Sequence, residues 1–326
     1  MPGSLRVRAL FDHAWHLQTE QGDIATVSTA PYQGPLSVRI GLTSLRELGV
    51  AVGDEAAIHF STRAYAPTEG GVLTIGPISI RLLSGRAWQP HSEDPPGPVN
   101  YPHDAAYRRI APTTSHSRTL EDPLPVLAGR LSSNVASIVA QVRVTARGGL
   151  AADVLLGRLG IGAPAWLRRG AAEARGLQQA LRALDPPGIR SRIGGLIGLG
   201  PGLTPSGDDL VCGLLAGLHV FALRSPGLRS RLETSRAIIA ASVQDSAHRT
   251  TALSRTLLHY AARGVAVEPL LRVLWSLGSG RGVDALDELL CIGHSSGSDM
   301  LTGAVIAAMA VVGWEEASAP ALVTSA

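Results

Sequence analysis

The segment Gly198-Leu-Gly-Pro-Gly-Leu-Thr-Pro-Ser-Gly-Asp-Asp-Leu-Val-Cys-Gly213 joins a tight loop to the start of an apolar helix. Glycines and prolines fill its first half, and an apolar run follows the two aspartates. Such a loop leaves backbone N–H groups free at the positive end of a helix dipole, where phosphate or carboxylate binds well. The segment therefore predicts a helix and an anion site, with these binding residues: Gly200, Gly202, Thr204, Ser206 and Gly207.

Two acids follow the loop directly. Asp208 and Asp209 fall in the first turn of the predicted helix, and Thr204 and Ser206 are residue types that cap helix starts. Either aspartate can serve as a catalytic acid or base, as a ligand for a metal such as Mg²⁺, or as a plain acid that complements the helix dipole. We predict Asp208 and Asp209 as catalytic candidates and possible metal ligands.

A second segment resembles the first. Ser296-Gly-Ser-Asp-Met-Leu-Thr-Gly303 aligns without gaps on residues 206–213, ninety positions earlier, and shares Ser, Gly, Asp and the final Gly. Small residues four apart follow in both copies and allow close helix approach. We predict two packed, quasi-equivalent helices whose starts, with Asp209 and Asp299, converge on one pocket. The alternative is chance reuse of a Ser-Gly-Asp helix cap.

Polar residues beside the repeat extend the candidate site. His294 can act as a general base or an oxyanion donor, or can simply face solvent from a loop. Arg249 can bind a carboxylate through two hydrogen bonds, although helix capping explains its hydroxyl-rich surroundings equally well. We predict Asp299 and His294 as catalytic candidates. The further predicted substrate-binding residues are Ser295, Ser296, Gly297, Arg249 and Thr250.

The hydrophobic pattern changes along the chain. Short, partly alternating runs separated by turn residues predict strands at 24–28, 36–40, 55–60, 72–75 and 78–83. Longer apolar-periodic segments predict helices at 123–144, 149–160, 165–184, 207–224, 227–245, 251–263, 267–277, 282–292 and 296–313. Strands first and helices later predict an α+β fold, with an antiparallel β domain, a small sheet or barrel, followed by an all-α domain.

A proline-rich stretch separates the two patterns. Five prolines lie between Pro90 and Pro102 and exclude a helix or a central strand there. We predict a β-rich domain at 1–90, a linker at 91–120 and a helical domain at 121–326 that carries the glycine-rich anion site.

Composition excludes several functions. The 326 residues contain no lysine, so Schiff-base chemistry and a phosphate-binding P-loop lysine are excluded. A net charge of +3 with scattered arginines gives little support for nucleic-acid binding. No uncharged stretch exceeds the length of 300–314, which is shorter than the ~20 residues of a membrane span. We expect a cytoplasmic protein that binds neither nucleic acid nor a membrane, with Cys212 and Cys291 as small buried residues.

The motif residues resemble a known family. Residues 198–209 and Gly293-His-Ser-Ser-Gly-Ser-Asp-Met-Leu-Thr-Gly303 look like the two signature segments of the AllH-type family, once a domain of unknown function. The similarity extends over most of the chain, including Leu10-Phe-Asp-His-Ala-Trp-His-Leu17 and Thr250-Thr-Ala-Leu-Ser254. The first signature is the more specific of the two.

The resemblance implies a subunit of oxamate carbamoyltransferase. Such a subunit works with a larger FdrA-like subunit and a third protein in the breakdown of allantoin. The implied reaction converts oxalurate and phosphate into oxamate and carbamoyl phosphate. The resemblance does not say which subunit holds the catalytic groups. The alternative is a non-catalytic subunit that binds an anionic metabolite or assembles an FdrA-like complex.

Overall fold

The structure is a computed structural model. It describes residues 5–11, 14–28, 37–39, 48–60, 71–76, 78–81, 123–145, 149–158, 160, 162–279, 283 and 285–318. The chain divides into two compact units, Met1–Pro90 and His91–Ala326. The predicted linker at 91–120 lies outside the described residues, so the domain bounds stay a prediction.

The first unit contains one seven-stranded sheet in the order β4-β3-β2-β1-β5-β6-β7. Neighbouring strands are antiparallel except for the parallel pair β3–β4. The strands are β1 (Leu5–Leu10), β2 (Ala14–Thr19), β3 (Ile24–Ser28), β4 (Ser37–Arg39), β5 (Glu55–Phe60), β6 (Gly71–Ile75) and β7 (Ile78–Arg81).

Alternation of side chains builds the core of this sheet. Leu5 and Val7 of β1 are buried, while Arg6 and Arg8, which alternate with them, are exposed. Successive residues of a strand point to opposite faces, so one face of the sheet collects the apolar side chains. The buried cluster consists of Leu5, Val7, Trp15, Leu17, Val27, Ala56, Leu73 and Ile75.

The second unit is helical in its described part. Its helices are α1 (Leu124–Thr145), α2 (Ala151–Val154), α3 (Ala165–Arg182), α4 (Pro186–Leu196), α5 (Ser206–Arg224), α6 (Arg229–Ser246), α7 (Ala252–Ala261), α8 (Glu268–Leu277), α9 (Leu286–Leu290) and α10 (Ser296–Ser318). Helices α5 and α10 are buried along most of their length and form the centre of the unit. The α+β class predicted from the sequence is therefore confirmed.

Several element predictions need correction. The helix predicted at 149–160 is only the single turn α2, and the helix predicted at 282–292 shrinks to α9. Glycines explain the first difference, because Gly157 takes a left-handed φ of 62°. The patterns above single out neither β1, despite its alternation, nor α4. Helix α4 begins with two prolines, which suit a helix start. Its three glycines interrupt the periodic pattern of apolar residues by which a helix is recognised in a sequence.

Helices α5 and α10 are also apolar enough to resemble membrane spans. Ser206–Arg224 and Ser296–Ala317 pass that test by length and composition. In each helix, however, 89% of the apolar window is buried within the protein. The core helix of a globular unit passes the same test, so these two helices are weak evidence for a membrane span.

Candidate active site

Helices α5 and α10 lie side by side with their backbones in contact. A Cβ built on Gly213 would lie 1.8 Å from the Met300 carbonyl oxygen, and one on Gly303 would lie 1.9 Å from the Leu210 carbonyl oxygen. These contacts are reciprocal, because Met300 follows Leu210, and Gly303 follows Gly213, by ninety positions. A local pseudo-twofold axis therefore relates the two helices. The predicted close packing of the repeat is confirmed.

The same symmetry brings the two helix starts together. The Thr204 and Ser296 hydroxyl oxygens are 2.9 Å apart and share a hydrogen bond. The N-cap of α5 is Pro205, and no side chain caps this helix. The prediction that Thr204 and Ser206 serve as N-caps is therefore wrong. Their hydroxyls are directed toward the other helix start instead.

Asp209 and Asp299 occupy equivalent places in the first turns of α5 and α10. Asp209 is 1% exposed and Asp299 is fully buried. The Ser296 hydroxyl lies beside Asp209, and the Ser206 hydroxyl lies beside Asp299. Each helix thus sets its serine against the aspartate of the other, as the sequence repeat predicts.

These two carboxyls lack the partners that buried acids normally have. Both oxygens of Asp209 and Oδ2 of Asp299 are buried and accept no hydrogen bond from the described part of the chain. The Ser296 and Thr204 hydroxyls are the polar groups near Asp209, and the Ser206 and Ser295 hydroxyls lie near Asp299. A buried charge without a partner is costly, so the acids require a proton or a bound group.

Burial controls the ionisation of both acids. Loss of water raises the pKa of Asp209 well above its usual range, and the negative charges of Asp299 and Asp208 raise it further. Burial also raises the pKa of Asp299 to about 6, against the opposing effects of the Ser206 hydroxyl and the Leu150 N–H group. No positive side chain is among the leading influences on either acid.

A third segment contacts Asp299. The Leu150 backbone N–H donates to its Oδ1 at 2.6 Å. A Cβ on Gly149 would lie 2.5 Å from the same oxygen, so only glycine fits there. Sequence reasoning missed this turn, although the pair Gly148-Gly149 before a short apolar segment is a turn signal.

The raised pKa of Asp299 predicts a pH dependence of stability. The folded pKa of about 6 exceeds the ordinary aspartate value of 3.8, so the folded state binds this proton more tightly than the unfolded state. This contribution to stability is complete below pH 3.8 and is lost as the pH rises toward 6. Compared with Asp299→Asn, the wild-type chain should lose about 3 kcal/mol of unfolding free energy across this interval.

Urea unfolding of both proteins in EDTA, at a series of pH values, measures this difference directly. Asn keeps an oxygen that can accept from Leu150, so the comparison isolates the charge. A difference between the two proteins that stays constant from pH 4 to pH 7 would show that the Asp299 pKa is not raised.

Asp208 differs from its neighbour because its carboxylate is satisfied within the chain. It accepts the Gly198 N–H at 2.8 Å and a short hydrogen bond from the Thr250 hydroxyl. Burial still raises its pKa, because desolvation exceeds the effect of these hydrogen bonds. Asp208 therefore holds the glycine loop against the segment that precedes α7, a positioning role that needs no ligand.

The glycine loop presents free amides at the α5 start. Gly200 and Gly202 take left-handed φ values of 120° and 93°, which other residues rarely adopt. The N–H groups of Gly200, Gly202, Leu203 and Thr204 donate to no backbone carbonyl within the described part of the chain. Residues 201–203 are also exposed. The loop therefore combines accessible donors with the helix dipole, as an anion site requires.

Two predicted glycines have another role. The Gly207 N–H donates to the Leu199 carbonyl at 2.9 Å, and the Gly297 N–H donates to the Ile292 carbonyl at 3.0 Å. A Cβ at either position would meet a backbone carbonyl oxygen at about 2 Å or less. Both glycines are therefore required for packing, and their N–H groups are already used.

The remaining predicted residues surround the two starts unevenly. His294 is exposed in the loop before α10, and Ser295 lies beside Asp299. Arg249 is exposed and donates to the Gly194 carbonyl at 2.5 Å. The Thr250 hydroxyl donates to Asp208, so neither Arg249 nor Thr250 is in hydrogen-bond contact with Asp209 or Asp299.

The site has no ready-made cluster of metal ligands. Among the described residues, no three His, Cys, Asp or Glu side chains meet in a metal-binding group. Cys212 is buried as predicted, and burial raises the pKa of its thiol well above its usual range, so it stays neutral. Cys291 is free and exposed, and the prediction that it is buried is wrong: it follows α9, whose Leu286 and Leu289 face inward.

Comparison with known proteins finds a family match that spans both helix starts. Residues 196–308 match the model of the family described as oxamate carbamoyltransferase subunit AllH. The match begins just before the glycine loop and ends within α10, so it contains both helix starts. No solved structure matches the chain at a significant level.

Proposed function

We propose that this chain is a subunit of oxamate carbamoyltransferase, and that the paired starts of α5 and α10 form its active site. One observation carries the proposal: within the matched residues, two helix starts meet at a Thr204–Ser296 hydrogen bond beside buried acids with three carboxylate oxygens that accept no hydrogen bond from the described residues. If the two motifs served only as helix caps, they would not leave buried carboxylate oxygens without hydrogen-bond partners.

The proposed reaction joins two anions. A phosphate oxygen attacks the ureido carbonyl carbon of oxalurate and forms the C–O bond of carbamoyl phosphate. The bond between that carbon and the oxamate nitrogen breaks, and the proton of hydrogen phosphate passes to the leaving nitrogen. The reaction therefore needs anion donors, donors for the developing oxyanion and a carrier for one proton.

The residues of the site match these needs. The free amides of the glycine loop and the positive ends of two helices can hold phosphate and the oxalurate carboxylate without lysine. The hydroxyls of Thr204 and Ser296 are donors beside that loop and can stabilise the oxyanion. His294 is exposed in the adjoining loop, and we assign to its imidazole the transfer of the proton to nitrogen.

We expect the activity to require partners. The family description names a subunit, which implies a larger carbamoyltransferase assembly. The partners proposed here are an FdrA-like large subunit and a third subunit. The purified chain alone should produce little carbamoyl phosphate from oxalurate and phosphate, and the three proteins together should restore turnover.

The measurement is carbamoyl phosphate formation by the chain alone, by its two partners alone and by the mixture. Full turnover by the isolated chain would contradict the need for partners. Equal turnover by the partners without this chain would remove its catalytic role. If the chain binds oxalurate in that case, it is instead a metabolite-binding or assembly subunit.

A further inference from the structure

The buried acids and the loop amides favour ligands of opposite charge in neighbouring parts of the site. The carboxyls of Asp209 and Asp299 are negative when ionised, whereas the adjoining amides of the glycine loop favour an anion. An anion bound there would be repelled by the two carboxylates. A cation between the acids and the anion would satisfy both groups at once.

We propose that Asp209 and Asp299 together bind one divalent cation of the Mg²⁺ type on the pseudo-twofold axis. Three buried carboxylate oxygens of this pair accept no hydrogen bond in the described structure, which leaves them available as ligands. The reciprocal packing of α5 and α10 places the two acids in equivalent first turns, near enough for the charge of Asp299 to raise the pKa of Asp209.

The chemistry of the surrounding groups selects a hard cation. The nearby polar side chains are carboxylates and the hydroxyls of Ser206, Ser296 and Thr204, all with oxygen donors. Sulfur and imidazole are the donors that zinc and copper favour. The Cys212 thiol is kept neutral by burial, so it is a poor ligand.

The small number of acids favours Mg²⁺ in particular. No group of three His, Cys, Asp or Glu side chains occurs among the described residues, so a fully protein-made cage is not available there. Mg²⁺ characteristically uses one or two carboxylates and completes its shell with water and substrate phosphate oxygens. The exposed loop beside the acids is where such a phosphate would approach.

The cation site does not depend on the reaction proposed above. Binding of Mg²⁺ without carbamoyl transfer would support the site and contradict the reaction. If instead the chain binds no divalent cation and carbamoyl transfer continues after such cations are removed, the reaction is supported and the cation site is contradicted. The two proposals therefore fail separately.

Isothermal titration of the full, metal-free chain with MgCl₂ at pH 7.5 tests the site, with Mn²⁺ as a spectroscopic probe of the same ligands. We expect one cation per chain and at least a tenfold weaker affinity for Asp209→Asn and for Asp299→Asn. The exposed Asp185 lies at the start of α4, so Asp185→Asn is a charge-matched control that should bind as the wild type does.

Circular dichroism and unfolding curves establish that each variant is folded before titration. A folded wild-type chain that binds no Mg²⁺ or Mn²⁺ at millimolar concentration would overturn the proposal. So would equal binding by the wild type and both site variants, because the ligands would then lie elsewhere.

Discussion

We expect Asp209→Asn to lower the rate of the proposed carbamoyl transfer by the assembled complex at least a hundredfold without lowering the stability of the chain. The first expectation follows from the two carboxylate oxygens that no described group satisfies. The second follows from the cost of burying that charge, which the neutral amide avoids. A hundredfold loss corresponds to about 2.7 kcal/mol of activation free energy, more than the ~1 kcal/mol that a helix cap contributes.

The neighbouring acid provides a matched control. Asp208→Asn removes the same charge from the same helix turn, but Asp208 accepts from both Gly198 and Thr250. The amide can accept only one of these hydrogen bonds, so we expect a loss of about 1–3 kcal/mol of unfolding free energy. Rates of the reconstituted complex and urea unfolding of the chain should therefore separate the two variants.

Opposite results would remove the distinction between the two acids. If Asp209→Asn kept wild-type turnover, the buried acid would not belong to the active site. If it unfolded as easily as Asp208→Asn, its carboxylate would have a stabilising partner outside the described residues.

The second large effect concerns the packing of the helix pair. Gly213→Ala places a methyl group where the Met300 carbonyl oxygen now lies, only 1.8 Å from the ideal Cβ position. Backbone cannot rotate aside as a side chain can, so the helices must separate. Overpacking of this kind costs about 1–3 kcal/mol or more, and we expect the upper part of this range.

Gly129→Ala supplies the comparison. Gly129 lies within α1, is exposed and has open space around its Cβ position. Alanine there should leave stability unchanged or raise it by about 0.5–1 kcal/mol, since glycine is a poor helix former. Equal stability of the two variants in urea unfolding would show that the backbones of α5 and α10 do not touch at Gly213.

The packing of α5 against α10 was predictable from the sequence because the repeat places small residues and polar groups at equivalent positions of both helices. Small residues at equivalent positions, Gly213 and Gly303, allow two helices to approach only if they face each other. The shared Ser-Gly-x-Asp pattern then places equivalent groups at the same end. For this reason the meeting of Ser296 with the α5 start was predictable without coordinates.

The different environments of Asp208 and Asp209 were not predictable in the same way. Adjacent helix residues point about 100° apart, so one faces α10 and the other faces the segment before α7. Which acid faces which neighbour depends on packing between distant segments. The contact of Leu150 with Asp299 has the same origin, because it joins residues far apart in the chain.

The reciprocal contacts between α5 and α10 restrict which substitutions the two helices can accept. Each glycine faces a carbonyl of the other helix, and each serine lies beside the other aspartate. A substitution that shifts one helix therefore disturbs both halves of the pair together. We therefore expect substitutions at positions ninety apart to be correlated among related sequences.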